Sequence, residues 1–122
     1  MYEPRYFKEE EFKKLTPSCS IAQMDENLLE GLDELREAVD MPFIITSAYR
    51  SPDWDLAKGR TGQGPHTKGM AVDVSCPNSY FARRVLEEAL KRPQYFKGIG
   101  IGKNFIHLDV MYRSFAPLVW GY

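Results

Sequence analysis

Residues 64–74 read GPHTKGMAVDV, and the placing of Asp73 in that stretch decides how the rest of the chain is read. From Met70 to Val74 the residues are apolar, apart from this one carboxylate. A β-strand sends successive side chains to opposite faces. Met70, Val72 and Val74 then share one face, and Ala71, Asp73 and Ser75 share the other. Asp73 need not enter the core at all. His66, one of two histidines in the chain, precedes it by seven residues. Gly69 between them lets the chain turn back on itself.

The other histidine lies in FIHLDV, residues 105–110. Alternation puts Ile106, Leu108 and Val110 on a core face and Phe105, His107 and Asp109 on the opposite one. If the two strands are neighbours, Asp73, His107 and Asp109 converge, with His66 at the entrance to the first strand. Two imidazoles and one carboxylate suit catalytic zinc, which takes three protein ligands and leaves a fourth position open. Plainer readings stand beside this one. A histidine near a strand is often just a hydrogen-bonded surface residue, Asp73 fits a turn or helix cap, and Asp109 fits a salt bridge to Arg113.

Outward from these strands, Met24, Leu28, Leu32, Leu35 and Val39 recur at helical spacing, with Glu26, Glu30, Asp33, Glu34 and Glu37 on the other face. A helix over 24–39 follows, stopped at Asp40-Met41-Pro42. Phe7, Phe12 and Leu15 predict a short docked helix over 6–15, ended by Pro17. Phe43–Thr46 reads as a strand. Residues 53–65 hold three glycines and read as a loop with a helical turn at Trp54–Lys58. Ser79 is the expected cap of a helix over 80–91, with Phe81, Val85, Leu86, Ala89 and Leu90 inward. Gly98, Gly100 and Gly102 punctuate the approach to the last predicted strand, and the aromatic tail RSFAPLVWGY is expected to pack back on the body. The expected class is α+β: one domain over 1–122, with a small antiparallel sheet packed against helices.

Composition narrows the partners. At 122 residues with a formal net charge of −1, the chain has no bulk attraction to nucleic acid or anionic membrane. It has no apolar run of membrane-spanning length. The opening MYEPRYFKEEEF lacks the apolar stretch of a signal peptide, so the expectation is a protein made in the cytoplasm. Cys19 and Cys76 are far apart and outside any CxxC motif. Two reduced thiols are expected, a bridge between them being the alternative.

Three stretches in order carry a resemblance across nearly the whole chain: Thr46-Ser47-Ala48-Tyr49-Arg50-Ser51-Pro52, then His66-Thr67-Lys68-Gly69-Met70-Ala71-Val72-Asp73, then Phe105-Ile106-His107-Leu108-Asp109-Val110. Together they resemble the D-alanyl-D-alanine carboxypeptidase-like zinc peptidases, which include phage endolysins and share a fold with the Hedgehog signalling domain. The resemblance implies one zinc ion (Zn2+) on His66, Asp73 and His107. It implies that Arg50 holds a substrate carboxylate or carbonyl, a task suited to a guanidinium fork, with Ser47 and Tyr49 beside it. The implied reaction is hydrolysis of an amide in the peptide part of peptidoglycan, by a carboxypeptidase or an endopeptidase acting as a monomer. Action on the cell wall would then follow release, as in phage lysis.

Departures from the pattern bear on the mechanism. Many relatives carry an acid three residues before the last zinc histidine, where this chain has Asn104, which cannot take a proton at neutral pH. Asp109 is then the candidate base, or a residue that fixes the His107 ring. Asp53 and Asp55 are outside candidates, in a region where relatives often carry His-Asn. Gly64 stands where serine is frequent. The alternative function is a non-catalytic zinc-containing module of a phage or prophage that binds cell wall. For an enzyme, activity should fall below about pH 6, as ligand imidazoles protonate.

Overall fold

The computed structural model describes residues 1–122. Five strands form one sheet: β1 (Ile45–Ser47), β2 (Ala71–Ser75), β3 (Gly98–Ile101), β4 (Phe105–Asp109) and β5 (Leu118–Gly121), in the spatial order β1-β2-β4-β3-β5. Four helices accompany it: α1 (Glu9–Lys13), α2 (Glu26–Val39), α3 (Pro52–Ala57) and α4 (Ser79–Leu90). Two 3-10 turns add Ile21–Gln23 and Pro65–Lys68. The class is α+β, as expected. The sheet is antiparallel except at β3 and β5, which run parallel. No helix is long and apolar enough to cross a membrane.

One face of the sheet holds the core. Val72, Val74, Ile99, Ile106 and Leu108 join Leu28, Leu32, Leu35 and Val39 of α2 and Phe81, Val85 and Ala89 of α4 in a single buried cluster. Strand alternation therefore assigns the faces as the sequence predicts. Leu90 is the exception among the residues expected to point inward, since it is exposed at the end of α4.

Several boundaries differ from expectation for local reasons. Helix α2 begins after Asp25, whose carboxylate accepts from the Leu28 amide. It ends at Asp40, a left-handed cap with φ of 57°, before the proline can act. The cap of α4 is Asn78 rather than Ser79. Asp33, whose polarity points to the solvent face of α2, is instead fully buried. It accepts from the Tyr2 hydroxyl and from the backbone amides of Arg5 and Tyr6, and so straps the N-terminal segment to α2. Burial and that hydrogen bond push the Tyr2 phenol up to about 12. Both thiols, Cys19 and Cys76, are free.

Strand β3 escapes a propensity reading because half of it is glycine. Its sequence GIGI sends Ile99 to the core and Gly98 and Gly100 to the opposite face. A Cβ at Gly98 would collide with the Asp109–Arg113 ion pair, and one at Gly100 would meet the Trp120 indole at 2.7 Å. The glycines clear room for those side chains.

Helix α4 ends in an ion cluster that makes a testable contribution. Glu88 is buried and accepts from Arg84 (3.1 Å), Arg92 (3.0 Å) and Lys91 (3.2 Å). The Arg84 and Arg92 hydrogen bonds outweigh burial and pull its carboxyl from the usual 4.5 down to about 2. The folded pKa is depressed, so the stabilisation is present above the unfolded value and is lost as pH falls toward 2. Glu88→Gln is expected to cost about 1 kcal/mol at pH 7. Denaturant titrations at pH 7 and pH 3 should show that difference shrinking in acid.

Candidate metal centre

The site is built on the sheet face opposite the core. Strands β2 and β4 pair antiparallel with Asp73 directly opposite His107. On the far side of β4, Gly100 stands opposite His107, and Trp120 of β5 stands opposite Gly100. On the near side the β1–β2 register slips between Ile45 and Ser47, which brings Ser47 alongside Asp73. His66 comes from the 3-10 turn Pro65–Lys68. Gly69 ends that turn with φ of 69° in the left-handed region. A Cβ there would run into the Gln23 carbonyl, so both conformation and space require glycine.

His66, Asp73 and His107 meet. The Asp73 Oδ1 atom lies 3.3 Å from His66 Nε2 and 3.3 Å from His107 Nδ1. The three candidate ligand atoms fall within 4.8 Å of one another. Each imidazole is oriented by its other nitrogen. His66 Nδ1 is 2.7 Å from the Ala48 carbonyl oxygen, which can only accept, so this nitrogen carries the hydrogen. His107 Nε2 is 2.6 Å from Asp109 Oδ2 and donates to that carboxylate. In the neutral rings, the nitrogens facing Asp73 are therefore lone pairs.

This donor set fits a small cation. Asp73 Oδ1 is buried and has no hydrogen-bond partner. Three electron-rich atoms converge there. A tetrahedral ion with bonds of about 2.0–2.1 Å needs ligand atoms about 3.3 Å apart, as on the two edges seen here. The charge state agrees. Burial alone would raise the Asp73 carboxyl, yet its contacts to His107 and His66 hold it well below the usual carboxylate range. Burial opposes an imidazolium at His107, yet Asp109 and Asp73 together raise its pKa above the ordinary value. A positive charge is wanted here, and either a proton or a metal supplies it.

Asp109 lies behind His107, away from Asp73, and is fully buried. Its carboxylate accepts from His107, from both terminal nitrogens of Arg113 (2.5 and 2.9 Å) and from the Met111 amide (3.2 Å). Burial works against this ionised state, and the His107 and Arg113 contacts override it and lower its pKa. The ion pair to Arg113 and the contact to His107 are thus two halves of one arrangement. With both oxygens engaged, the geometry favours the orienting role for Asp109 over that of a base.

A pocket of about 340 Å³ opens over the three residues. Arg50, Arg60 and Arg113 line it with the rings of Phe105, Trp120 and Tyr122, and Asp73 is its one carboxylate. Trp120 lies 5.3 Å from the His107 ring and Phe105 lies 4.9 Å from Tyr122, centroid to centroid. Arg50 donates to Ser47 Oγ at 3.1 Å. Burial and the neighbouring Arg60 lower its pKa. Tyr49 packs against the core instead and lines no cleft. Asn104 borders a second cleft, on the Ser47 side of Asp73. Asp53 is exposed on α3, outside the pocket.

Sequence reasoning missed Arg60, Trp120 and Tyr122 as pocket residues. Arg60 sits in an irregular loop, where no periodicity points to it. The other two carried a readable signal. Trp120 lies in β5 and Tyr122 just past its end, two residues apart as strand neighbours on one face are, and the glycines of GIGI alternate in step.

No curated protein matches the chain. Residues 5–109, however, match the family model of peptidase M15. That stretch takes in all three members of the His-Asp-His group. On that match the chain belongs to the peptidase M15 family of metal-dependent peptidases.

Proposed function

We propose that this protein is a zinc peptidase of peptidoglycan, hydrolysing amide bonds of the stem peptide or cross-bridge, with His66, Asp73 and His107 as the ligands. The observation that carries the proposal is the pre-set trio: two imidazoles held with their lone pairs toward one buried, unpartnered carboxylate oxygen. When bound, zinc supplies Lewis acidity, making water a nucleophile near neutral pH and polarising the amide carbonyl. The chain's own residues do the rest. Asp109 holds the hydrogen on His107 Nε2 and keeps Nδ1 free. The Ala48 carbonyl does the same for His66 through Nδ1. Arg50, steadied by Ser47, offers its guanidinium to a substrate carboxylate or carbonyl. Phe105, Trp120 and Tyr122 wall one side.

Purified protein should hold one zinc per chain and release new amino groups from peptidoglycan, and His66→Ala should abolish both. A well-folded, zinc-loaded wild type that cuts no peptidoglycan peptide would contradict the enzyme reading.

One observation favours a second reading, a zinc-containing module that binds cell wall without cutting it. The pocket offers no carboxylate beyond Asp73, and Asn104 occupies the place where an acid was expected. Such a module would retain zinc and bind wall fragments with no turnover at any pH. A phage setting with release at lysis accords with either reading. Tracking the protein during lysis of producing cells would test it.

A further inference from the structure

His107 is held from behind by more than one residue. Its Nε2 donates to Asp109 Oδ2 at 2.6 Å, and Arg113 Nη2 donates to that same oxygen at 2.9 Å. Arg113 Nη1 binds the other Asp109 oxygen and also donates to the Met111 carbonyl at 3.2 Å. The guanidinium is thus fixed by three acceptors, and its carbon lies 5.5 Å from the centre of the Trp120 ring. That ring in turn lies 5.3 Å from the His107 imidazole. His107, Asp109, Arg113 and Trp120 therefore close a circle of contacts, with one candidate metal ligand as a member.

The circle crosses three strands. Trp120 sits on β5, at the edge of the sheet, where β3 is its one strand neighbour. Gly100 of β3 stands between Trp120 and His107 of β4, and the missing side chain there gives the indole its room. Leu118 and Val119 of β5 are exposed, so the strand buries little of its own surface. Its fastenings are the Leu118 and Tyr122 amides, which donate to the Lys97 and Ile101 carbonyls, and the Trp120 side chain. A short exposed edge strand has low local stability, so one aromatic contact weighs in its docking. Arg113 and Trp120 both lie beyond residue 109, where the family match ends. Neither side chain can ligate a metal.

We propose that Arg113 is a positioning residue that couples the docking of β5 to the metal centre. It fixes the Asp109 oxygen that orients His107, and it faces the indole that packs on the same imidazole. This inference rests on the metal part of the proposed function and is independent of which bond the protein cuts. Coupling of this kind is reciprocal. A docked β5 holds His107 ready for the ion, and a bound ion, by fixing His107, holds Trp120 and β5 in place.

The test measures zinc affinity by chelator competition, the visible spectrum of the cobalt-loaded protein, and amide exchange in β5 with and without zinc. It uses variants of the whole chain shown to be folded by circular dichroism. Trp120→Leu removes the indole and leaves the Asp109–Arg113 pair. Arg113→Lys keeps the charge, but an ammonium offers neither a fork for both carboxylate oxygens nor a flat face for the indole. Each should weaken zinc about tenfold, the scale for losing a partner behind a ligand, and each should shift the cobalt bands that report ligand geometry. In wild type, zinc should slow exchange of the Leu118 and Tyr122 amides about tenfold, the same factor seen from the other side. Trp120→Leu should lose most of that slowing. Variants that are less stable yet bind zinc like wild type, with an unchanged cobalt spectrum, would overturn the coupling and leave Arg113 a structural ion pair. Exchange in β5 that ignores zinc in wild type would overturn it too. Coupling in a protein that cuts no peptidoglycan would uphold this inference and remove the peptidase reading. A wild type that takes up neither zinc nor cobalt would overturn both.

Discussion

Asp73→Asn is expected to weaken zinc binding by roughly a hundredfold or more and to abolish hydrolysis, while leaving the metal-free fold intact. The two effects have opposite origins. With zinc bound, the aspartate supplies the only negative charge among the three ligands. Without it, and with both rings neutral, Asp73 Oδ1 is a buried acceptor facing two imidazole lone pairs. An asparagine amide can donate to one of those lone pairs, relieving a conflict rather than creating one. Ligand-linked stabilisation follows the ratio of zinc concentration to Kd. Wild type should therefore melt at a higher temperature with zinc than with chelator, and Asp73→Asn should lose that difference. Thermal melts with paired zinc and chelator samples read both effects. A variant that keeps the zinc-dependent rise would exclude Asp73 as a ligand.

Asp109→Ala should act in the reverse way, damaging the fold first and the metal site through it. Removing this carboxylate leaves the Arg113 guanidinium half-buried with no counter-charge and the His107 Nε2 hydrogen with no acceptor. Breaking a buried pair from one side costs about 3–5 kcal/mol. Asp109→Asn separates structure from orientation. It fills the same space but removes the charge that holds the hydrogen on Nε2. Zinc affinity is expected to fall about 10–100-fold, the usual scale for a partner that orients a ligand, with a smaller loss of stability. Denaturant unfolding of the metal-free proteins and zinc competition with a chromogenic chelator separate the two. If Asp109→Asn binds zinc like wild type, the orienting role is wrong.

The parts of the molecule legible in the sequence are those governed by short-range rules. Period-two alternation placed Asp73 and His107 on the face opposite Val72 and Leu108 because a pleated strand permits no other arrangement. Helical spacing found α2, and Gly69 announced the turn that brings His66 round. The failures occur where tertiary contacts override local signals. Asp33 reads as a solvent-face residue until the N-terminal segment folds over it and donates two amides and a hydroxyl. Glycine in GIGI lowers strand propensity, and only the side chains lying across it explain its use. Strand β5 is three residues of ordinary β-formers and a glycine, exposed over much of its length, and its parallel pairing to β3 has no local signature. Asp55 reads as an outside candidate for the base. Loop closure instead buries it and sets Arg50 and Arg60 beside one of its oxygens.

The central claim is that one cation sits among His66, Asp73 and His107. Anomalous diffraction at the zinc edge, from crystals grown with zinc, tests it most directly. A single strong peak is expected within about 2.0–2.2 Å of His66 Nε2, Asp73 Oδ1 and His107 Nδ1, with Asp109 still bonded to His107 Nε2. No peak at that point, or a zinc ion held by His107 through Nε2, would contradict it.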